Sequence, residues 1–226
     1  MRGQLCGVDK MRIILASKSP RRREILSKLF PKYEIIVEEI DESVPCGMHP
    51  REAVEQLAVK KGMAVALSKK LEFEGEIVSS DFDKTESGGL LAQMAKTGDD
   101  IVIISSDTLV ELDARPLGKP SSETDAVDML LSLSGRAHNV HTGVSVYRGG
   151  RIYSGVASSA VYFKVITPED ALEYVKTGEP MDKAGAYAIQ GIGGKFVEGY
   201  EGDFDTIVGL SQRLLKKLLR EAIENE

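Results

Sequence analysis

Apolar residues along this chain fall into short continuous runs that alternate with longer amphipathic stretches. Continuous runs are typical of buried strands, and apolar spacings of three and four residues are typical of helices. The runs predict strands at residues 12–16, 33–37, 100–105, 108–112, 140–147 and 151–163. The helical spacing predicts helices at residues 20–29, 50–67, 123–133, 168–176 and 211–223. This order predicts an α/β protein that also contains antiparallel strands.

Turn-forming and capping residues support these boundaries. Gly149 and Gly150 separate two of the predicted strands, which is a strong hairpin pattern. Ser121 or Ser122 is a suitable N-cap for the helix that follows. Residues 113–116 are expected to form a turn.

Two segments depart from the alternating order. Residues 68–99 show little periodicity and contain more acidic residues than lysines, so we expect an exposed insertion there. A regulatory role for this insertion is an alternative interpretation. Residues 1–10 read as an N-terminal extension, and Met11 is an alternative start. Residues 11–226 have the length of one large domain or of two lobes.

Composition limits the class of protein. The chain has 226 residues, 42% of them hydrophobic, which is enough for a sizeable core. Its net charge of -6 argues against a protein that coats nucleic acid and favours a small anionic ligand at a local basic site. Cys6 and Cys46 are too few for a disulfide framework, which favours the reducing cytoplasm. No apolar run is long enough to predict a membrane span or a signal peptide.

A basic corner lies where the first strand leads into the first helix. Ser17 and Ser19 supply hydroxyl groups, and Pro20 favours the first helical position. Free backbone N–H groups at a helix start bind anions, and the forked donors of Arg21 and Arg22 match phosphate oxygens. The segment therefore predicts a phosphate site, although a solvated basic helix start is an alternative.

The helix at 50–67 carries a lysine on its apolar face. At 100° per residue, Val54, Leu57, Ala58 and Val65 lie on one arc with Lys61 near its middle. Burying an unpaired ammonium group costs several kcal/mol, so we expect Lys61 to meet a partner or open into a polar cleft. A lysine that reaches solvent at the rim is the alternative.

Acidic residues follow two of the predicted strands. Asp107 comes directly after an apolar strand, and ligand sites in open α/β sheets lie at the carboxyl ends of strands. Asp41 and Glu42 form a second acidic pair, and carboxylate oxygens suit Mg²⁺ bound to substrate phosphates. These residues are candidates for a metal ligand or a general base. Both sites could instead be turn formers or helix caps.

These segments together resemble the Maf family of nucleotide pyrophosphatases, also called septum-formation-like proteins. The matching segments cover nearly the whole chain: ILASKSPRRREIL, DESVP, LAVKKG, SSDTLV, LGKP, LSLSGRAHNVHTGVSV, GEPMDKAGAYAIQG and EGDFDTIVGL. The resemblance implies hydrolysis of nucleoside triphosphates between the α and β phosphates, with a divalent metal, Mg²⁺ or Mn²⁺. It also implies a two-lobed fold with a long twisted sheet and a deep cleft, similar to inosine triphosphatase, and a homodimer.

The resemblance assigns roles to individual residues. Asp107 would be the acid–base carboxylate, orienting or deprotonating a water that attacks the α-phosphorus. Four basic side chains would contact the phosphates: Arg21, Arg22, Lys61 and Lys119. Ser17 and Ser19 would bind substrate at the same corner. Three carboxylates would serve metal binding or water positioning: Asp41, Glu42 and Asp107.

Substrate choice is also implied by the resemblance. Gln190 matches the subgroup that acts on dTTP and UTP, as do Arg21 and Thr108. A glutamine amide offers both a donor and an acceptor to the edge of uracil or thymine. CTP and modified pyrimidine nucleotides are further candidates. Alternatives are a pyrophosphatase for 7-methyl-GTP or another non-standard nucleotide, and a non-catalytic nucleotide-binding regulator of cell division.

The chain departs from the family pattern at three places. The segment at 68–99 is longer than usual, Gly209-Leu210-Ser211 stands where GLP is typical, and Ala188 replaces a common glycine. None of these changes removes a residue that the chemistry needs.

Overall fold

The computed structural model describes residues 12–45, 47–71, 77–80 and 101–224, and these residues form one eight-stranded mixed sheet with flanking helices. The strands are β1 Arg12–Leu15, β2 Glu34–Ile35, β3 Ile77–Ser80, β4 Ile101–Leu112, β5 Arg115–Leu117, β6 Ala137–Arg148, β7 Arg151–Phe163 and β8 Val197–Glu201. The helices are α1 Pro20–Ser27, α2 Pro50–Ser68, α3 Glu123–Leu133, α4 Pro168–Val175, α5 Phe204–Val208 and α6 Gln212–Glu224. The predicted extension at residues 1–10 lies outside the described residues.

The three longest strands, β4, β6 and β7, are neighbours in the sheet, whose strand order is β2-β1-β4-β6-β7-β3. β1 runs parallel to β2 and β4, and β3 runs parallel to β7. The remaining pairs are antiparallel, with β5 beside the end of β4 and β8 beside the end of β7. The predicted α/β class with a long mixed sheet is therefore confirmed.

Alternation along β4 explains how one end of the sheet is covered on both faces. Successive side chains of a strand point to opposite faces. Val102 and Ile104 pack in a cluster with residues of α1 and α6, whereas Ile103 packs in a cluster with residues of α2. Both faces at this end are therefore apolar and buried.

The other end of the long strands has its own core. Val110 and Leu112 of β4 pack with residues of α3 and α4. Between the two ends, β4 carries the polar residues Ser105, Ser106, Asp107 and Thr108. Because these residues interrupt the apolar core, the middle of β4 is the place where a polar site can form.

Several predicted boundaries are confirmed. α3 and β7 begin and end at the predicted residues. Gly149 and Gly150 form the predicted hairpin turn with φ of 56° and 75°, a left-handed conformation that favours glycine. Ser122, rather than Ser121, caps α3 by accepting a hydrogen bond from the N–H of Asp125.

Other predictions were wrong. The predicted strand at 33–37 has only two residues, and the strands at 100–105 and 108–112 are one continuous strand, β4. The turn predicted at 113–116 is shorter, because β5 begins at Arg115. The segment at 68–99 contains the strand β3, which was not predicted. It pairs with β7, a strand far along the chain, so the local sequence pattern gives little indication of it. Residues 72–76 and 81–99 lie outside the described residues. Among the described residues, no helix has the length and apolar character to span a bilayer.

His138 of β6 is a buried titratable group beside the core that β4 forms with α3 and α4. Its Nε2 lies 2.8 Å from the hydroxyl of Tyr187, and its ring meets the edge of Phe163 at 4.9 Å between centroids. Burial lowers the pKa of His138 from 6.5 to about 4. Between these values the unfolded chain binds a proton that the folded chain does not, so the free energy of unfolding falls as the pH falls.

We therefore expect His138→Gln to reduce the pH dependence of stability. Between pH 6.5 and pH 4 the variant should lose roughly 3 kcal/mol less of its free energy of unfolding than the wild type. Urea denaturation at fixed pH values measures this difference. Asn139→Gln, at the exposed neighbour on β6, introduces and removes no titratable group, so it is the matched control and should follow the wild-type slope. An unchanged slope in His138→Gln would contradict the prediction.

Candidate active site

A gap in the sheet exposes one edge of β4. On that edge β1 pairs with β4 only as far as Ile104, and β5 begins to pair at Val110. Across residues 105–109 the described part of the chain therefore supplies a neighbouring strand on the β6 side alone. A cavity of about 1060 Å³ opens at this gap, lined by Asp107, Thr108 and residues of the loops around them.

Asp107 lies in this gap with a cation beside it. Its side chain points to the face covered by α2, where Lys61 Nζ lies 2.5 Å from Asp107 Oδ1. The same Nζ lies 2.8 Å from Glu42 Oε1, so one ammonium group joins two carboxylates. Asp107 is only 9% exposed, and burying its charge alone would be costly. The hydrogen bond from Lys61 also lowers the pKa of Glu42.

The position of Asp107 corrects one detail of the sequence prediction. Asp107 was expected at the carboxyl end of its own strand, but β4 continues for five more residues to Leu112. The opening instead arises because the neighbouring strand β1 ends at Leu15. The expectation that Lys61 meets a partner or opens into a polar cleft agrees with its ion pair and with its place in the cavity lining.

Close packing of α2 on the sheet determines how near Lys61 comes to Asp107. A Cβ on Gly143 would lie 2.3 Å from the backbone oxygen of Val54, so the helix sits where only glycine fits. Ser105 Oγ donates a hydrogen bond of 2.6 Å to the carbonyl of Ala58. These contacts anchor the helix that carries Lys61 above Asp107.

The predicted corner between β1 and α1 forms as expected. Ser19 is the N-cap of α1, its Oγ accepting a hydrogen bond from the N–H of Arg22, and Pro20 takes the first helical position. Ser17 Oγ accepts a bond of 3.2 Å from the N–H of Ser19, which tightens the turn. Both serines line the cavity.

The two arginines of this corner differ in their surroundings. Arg22 donates to the carbonyl of Gly209 at 2.9 Å, to Thr108 Oγ1 at 3.1 Å and to Ser17 Oγ at 3.3 Å. Its guanidinium thus joins three parts of the chain, a structural task that sequence reasoning missed. Arg21 also lines the cavity, and among the described residues no hydrogen bond engages its guanidinium. Arg21 therefore has more donors left for a ligand.

Further charged residues complete the walls of the cavity. Lys119 follows Gly118, whose carbonyl accepts a hydrogen bond of 3.0 Å from the N–H of Gly185. The positive charge of Lys119 also lowers the pKa of Glu42. Asp182 and Lys183 also line the cavity and form an ion pair with each other. Neither residue was predicted from the sequence, because the two short 3₁₀ helices around them, Glu179–Asp182 and Ala184–Ala186, have no apolar periodicity. The one available signal was their place in the segment GEPMDKAGAYAIQG.

Two predicted site residues do not line the cavity. Asp41 is exposed, and its carboxylate accepts hydrogen bonds of 2.8 Å from the N–H and the hydroxyl of Ser43. It is therefore a turn former, the alternative considered for it. Gln190 is exposed in a turn, although the preceding Ile189 lines the cavity. The other predicted residues meet at the cavity: Ser17, Ser19, Arg21, Arg22, Glu42, Lys61, Asp107, Thr108 and Lys119.

A metal ion would find an incomplete site in the protein alone. No group of three or more His, Cys, Asp or Glu side chains within the described residues could hold one. Glu42 and Asp107 nevertheless converge on Lys61 and supply two carboxylates. Mg²⁺ is commonly bound through one or two carboxylates together with substrate phosphates. The donor set fits such an ion when a phosphate ligand supplies the remaining oxygens.

Comparison with known proteins identifies the family of this chain. The family model described as Maf-like protein matches residues 12–222. The chain belongs to the Maf family. A dTTP/UTP pyrophosphatase of Moorella thermoacetica is 41% identical to this Maf-family chain, over 92% of the chain and 93% of the relative. A dTTP/UTP pyrophosphatase of Clostridium beijerinckii is 39% identical, over 93% and 99% of the two sequences.

Likeness to solved structures is weaker. The Ham1 protein of Staphylococcus aureus is 18% identical to this chain and covers 95% of it, with 94% of that structure matched and a TM-score of 0.40. A match at this level adds nothing to the fold derived from the strand order.

The close approach of α2 gives a testable prediction. Gly143→Ala places a methyl group against the backbone of α2, so we expect a loss of about 1–3 kcal/mol in the free energy of unfolding. Gly199→Ala is the matched control, since a Cβ there meets nothing within 4 Å, and it should change stability by no more than about 0.5 kcal/mol. Chemical denaturation measures both. Equal stabilities of the two variants would refute the packing account.

Proposed function

We propose that this Maf-family chain hydrolyses dTTP and UTP to the nucleoside monophosphate and pyrophosphate. The observation that carries the proposal is the buried Asp107, held by Lys61 at the edge of a cavity lined with further cations. A site for binding alone has little use for a carboxylate beside a polyphosphate, because like charges repel. A carboxylate is useful there when a water molecule must be activated.

The charges of the cavity support a polyphosphate as the ligand. Six basic residues from four parts of the chain line the cavity: Lys18, Arg21, Arg22, Lys61, Lys119 and Lys183. They outnumber the five acidic lining residues, which are Glu38, Glu39, Glu42, Asp107 and Asp182. Lysine and arginine stabilise the negative charge that develops on a leaving pyrophosphate. The hydroxyl groups and N-terminal N–H groups of the corner at α1 add further donors for phosphate oxygens.

The proposed reaction uses the residues in these positions. Asp107 accepts a proton from water, and the water oxygen forms a bond to the α-phosphorus. The bond from the α-phosphorus to the bridging oxygen breaks, and pyrophosphate leaves with that oxygen. Lys61 holds Asp107 in place and lies close enough to the gap to contact phosphate.

A divalent metal, Mg²⁺ or Mn²⁺, belongs to the same proposal. Glu42 and Asp107 would hold it together with substrate phosphates, and the ion would supply charge neutralisation on the phosphate chain. Asp41 is not part of this site, since its carboxylate is engaged by Ser43.

A homodimer and a cytoplasmic location also belong to the proposal. The homodimer is supported by the family resemblance, and light scattering on the purified chain measures it. The location is supported by the low number of cysteines.

The direct test of the function is pyrophosphate release from a panel of nucleotides with Mg²⁺ and with Mn²⁺. The panel contains dTTP, UTP, CTP, the purine triphosphates and 7-methyl-GTP. We expect the highest kcat/KM for dTTP and UTP. A preference for 7-methyl-GTP would replace the proposed substrate, and tight binding without turnover would favour a nucleotide sensor.

Asp107→Asn tests the catalytic carboxylate. The amide keeps the shape of the side chain and an oxygen for Lys61 but cannot accept the proton of water. We expect kcat to fall about 10²-fold to 10⁴-fold with the fold intact by circular dichroism. Asp128→Asn, at an exposed aspartate of α3, should retain wild-type activity. Full activity of Asp107→Asn would rule out the proposed role.

Gln190→Ala tests base recognition. Because Gln190 lies outside the cavity wall, reading the base requires its side chain to turn inward when nucleotide binds. We expect a larger loss of kcat/KM with dTTP and UTP than with purine triphosphates. An equal loss with every base would show that Gln190 does not read the base.

A further inference from the structure

A hydrogen-bonded pair, the buried Tyr174 and the partly buried Glu179, anchors the segment 188–193, which includes the cavity residues Ala188 and Ile189 as well as Gln190. Tyr174 of α4 is fully buried, and its hydroxyl donates a bond of 2.7 Å to Glu179 Oε2. The same hydroxyl accepts a bond of 3.3 Å from the N–H of Ala188. Tyr174 thus holds the start of the segment and Glu179 together.

Glu179 holds the other end of this segment. Its Oε1 accepts a bond of 3.1 Å from the N–H of Ile192, and its Oε2 accepts a bond of 3.0 Å from the N–H of Gly193. A Cβ on Gly191 would lie 2.1 Å from Glu179 Oε1, so the backbone passes too close for a side chain. The carboxylate therefore determines the path of the backbone immediately after Gln190.

The charge of Glu179 is maintained by these bonds. Burial raises the pKa of Glu179, but the hydrogen bonds from Tyr174 and from two backbone N–H groups outweigh burial, and the pKa lies below its ordinary value. Burial is also the main reason that the pKa of Tyr174 is raised. The pair thus consists of a carboxylate and a neutral phenol, with the phenol donating.

Tyr174 and Glu179, called the clamp below, contact the cavity lining through Lys183, whose Nζ donates to the carbonyl of Glu179 at 3.5 Å. Of the described residues that line the cavity, neither member of the clamp is one, whereas Ala188 and Ile189 are. The lining also includes the apolar side chains of Val110 and Tyr187. Arg21, Lys61 and Lys119 lie outside this segment and offer charge to the phosphates, so we place the flat apolar base of a nucleotide against Ala188 and Ile189. An altered path of the segment should therefore disturb the base and spare the phosphates.

We propose that Tyr174 and Glu179 are positioning residues that set the base selectivity of the enzyme without touching the substrate. The proposal rests on the proposed nucleotide hydrolysis and deepens it. The clamp fixes where Ala188 and Ile189 form the wall and where Gln190 stands relative to the bound base. Base selectivity then depends on two residues of α4 and the turn after it.

Glu179→Gln tests the clamp with little change in shape, because it replaces one acceptor oxygen by a donor facing backbone N–H groups. Kinetic constants are measured with dTTP and dGTP, and inhibition is measured with inorganic triphosphate, which has the phosphate chain but no base. We expect KM for dTTP to rise about tenfold and the preference for dTTP over dGTP to fall about tenfold. The inhibition constant of inorganic triphosphate should change by less than about twofold.

Two further variants complete the design. Tyr174→Phe removes the hydroxyl that joins Ala188 to Glu179 and should lower selectivity in the same direction, so it serves if Glu179→Gln does not fold. Glu173→Gln, at the exposed neighbour on α4, is the matched control and should behave as wild type.

Two outcomes would overturn the proposal. In the first, both clamp variants keep the wild-type preference. In the second, the inhibition constant of inorganic triphosphate rises in step with KM, which indicates a general structural role. If the wild type itself does not hydrolyse dTTP or UTP, the proposed substrate fails separately. The clamp is then tested by the same comparison with the best and worst nucleotides of the panel.

Discussion

The ion pair between Asp107 and Lys61 is the interaction on which the rest of the site depends. A carboxylate that is 9% exposed in the middle of a sheet needs a cation, and α2 brings one to within 2.5 Å. The pair can face a ligand because β1 ends at Leu15 and leaves the edge of β4 open. Without the gap the two charges would be a buried structural pair, and without the pair the gap would be an ordinary break in a sheet.

The close packing of α2 on the sheet fixes the position of this ion pair. Gly143 lets α2 approach the sheet, and serine hydroxyl groups bind the helix carbonyl of Ala58. On the other face of β4, Arg22 links the corner at α1 to Thr108 and to the carbonyl of Gly209. The two faces of one strand thus hold a carboxylate with its lysine and an arginine with its hydroxyl partners. A polyphosphate that enters the gap meets both sets.

Local pattern was enough to predict much of this arrangement. The bounds of α3 and β7 follow from caps, turns and apolar periodicity, and helical phase alone singled out Lys61. Contacts between distant segments could not be predicted from local pattern. They include the pairing of β3 with β7, the unbroken length of β4 and the hydrogen bond from Arg22 to the carbonyl of Gly209. Gln190 shows the same limit, since motif resemblance suggests its role whereas the hydrogen bonds of Glu179 determine its position.

In the proposed reaction, water activated at Asp107 attacks the α-phosphorus of a nucleotide whose phosphates lie along the cations of the gap. Hydrolysis of dTTP in water enriched in oxygen-18, followed by mass spectrometry of both products, shows which phosphorus atom the water attacks. We expect one labelled oxygen in the thymidine monophosphate and none in the pyrophosphate. Label in pyrophosphate, or release of inorganic phosphate with a labelled oxygen, would contradict it.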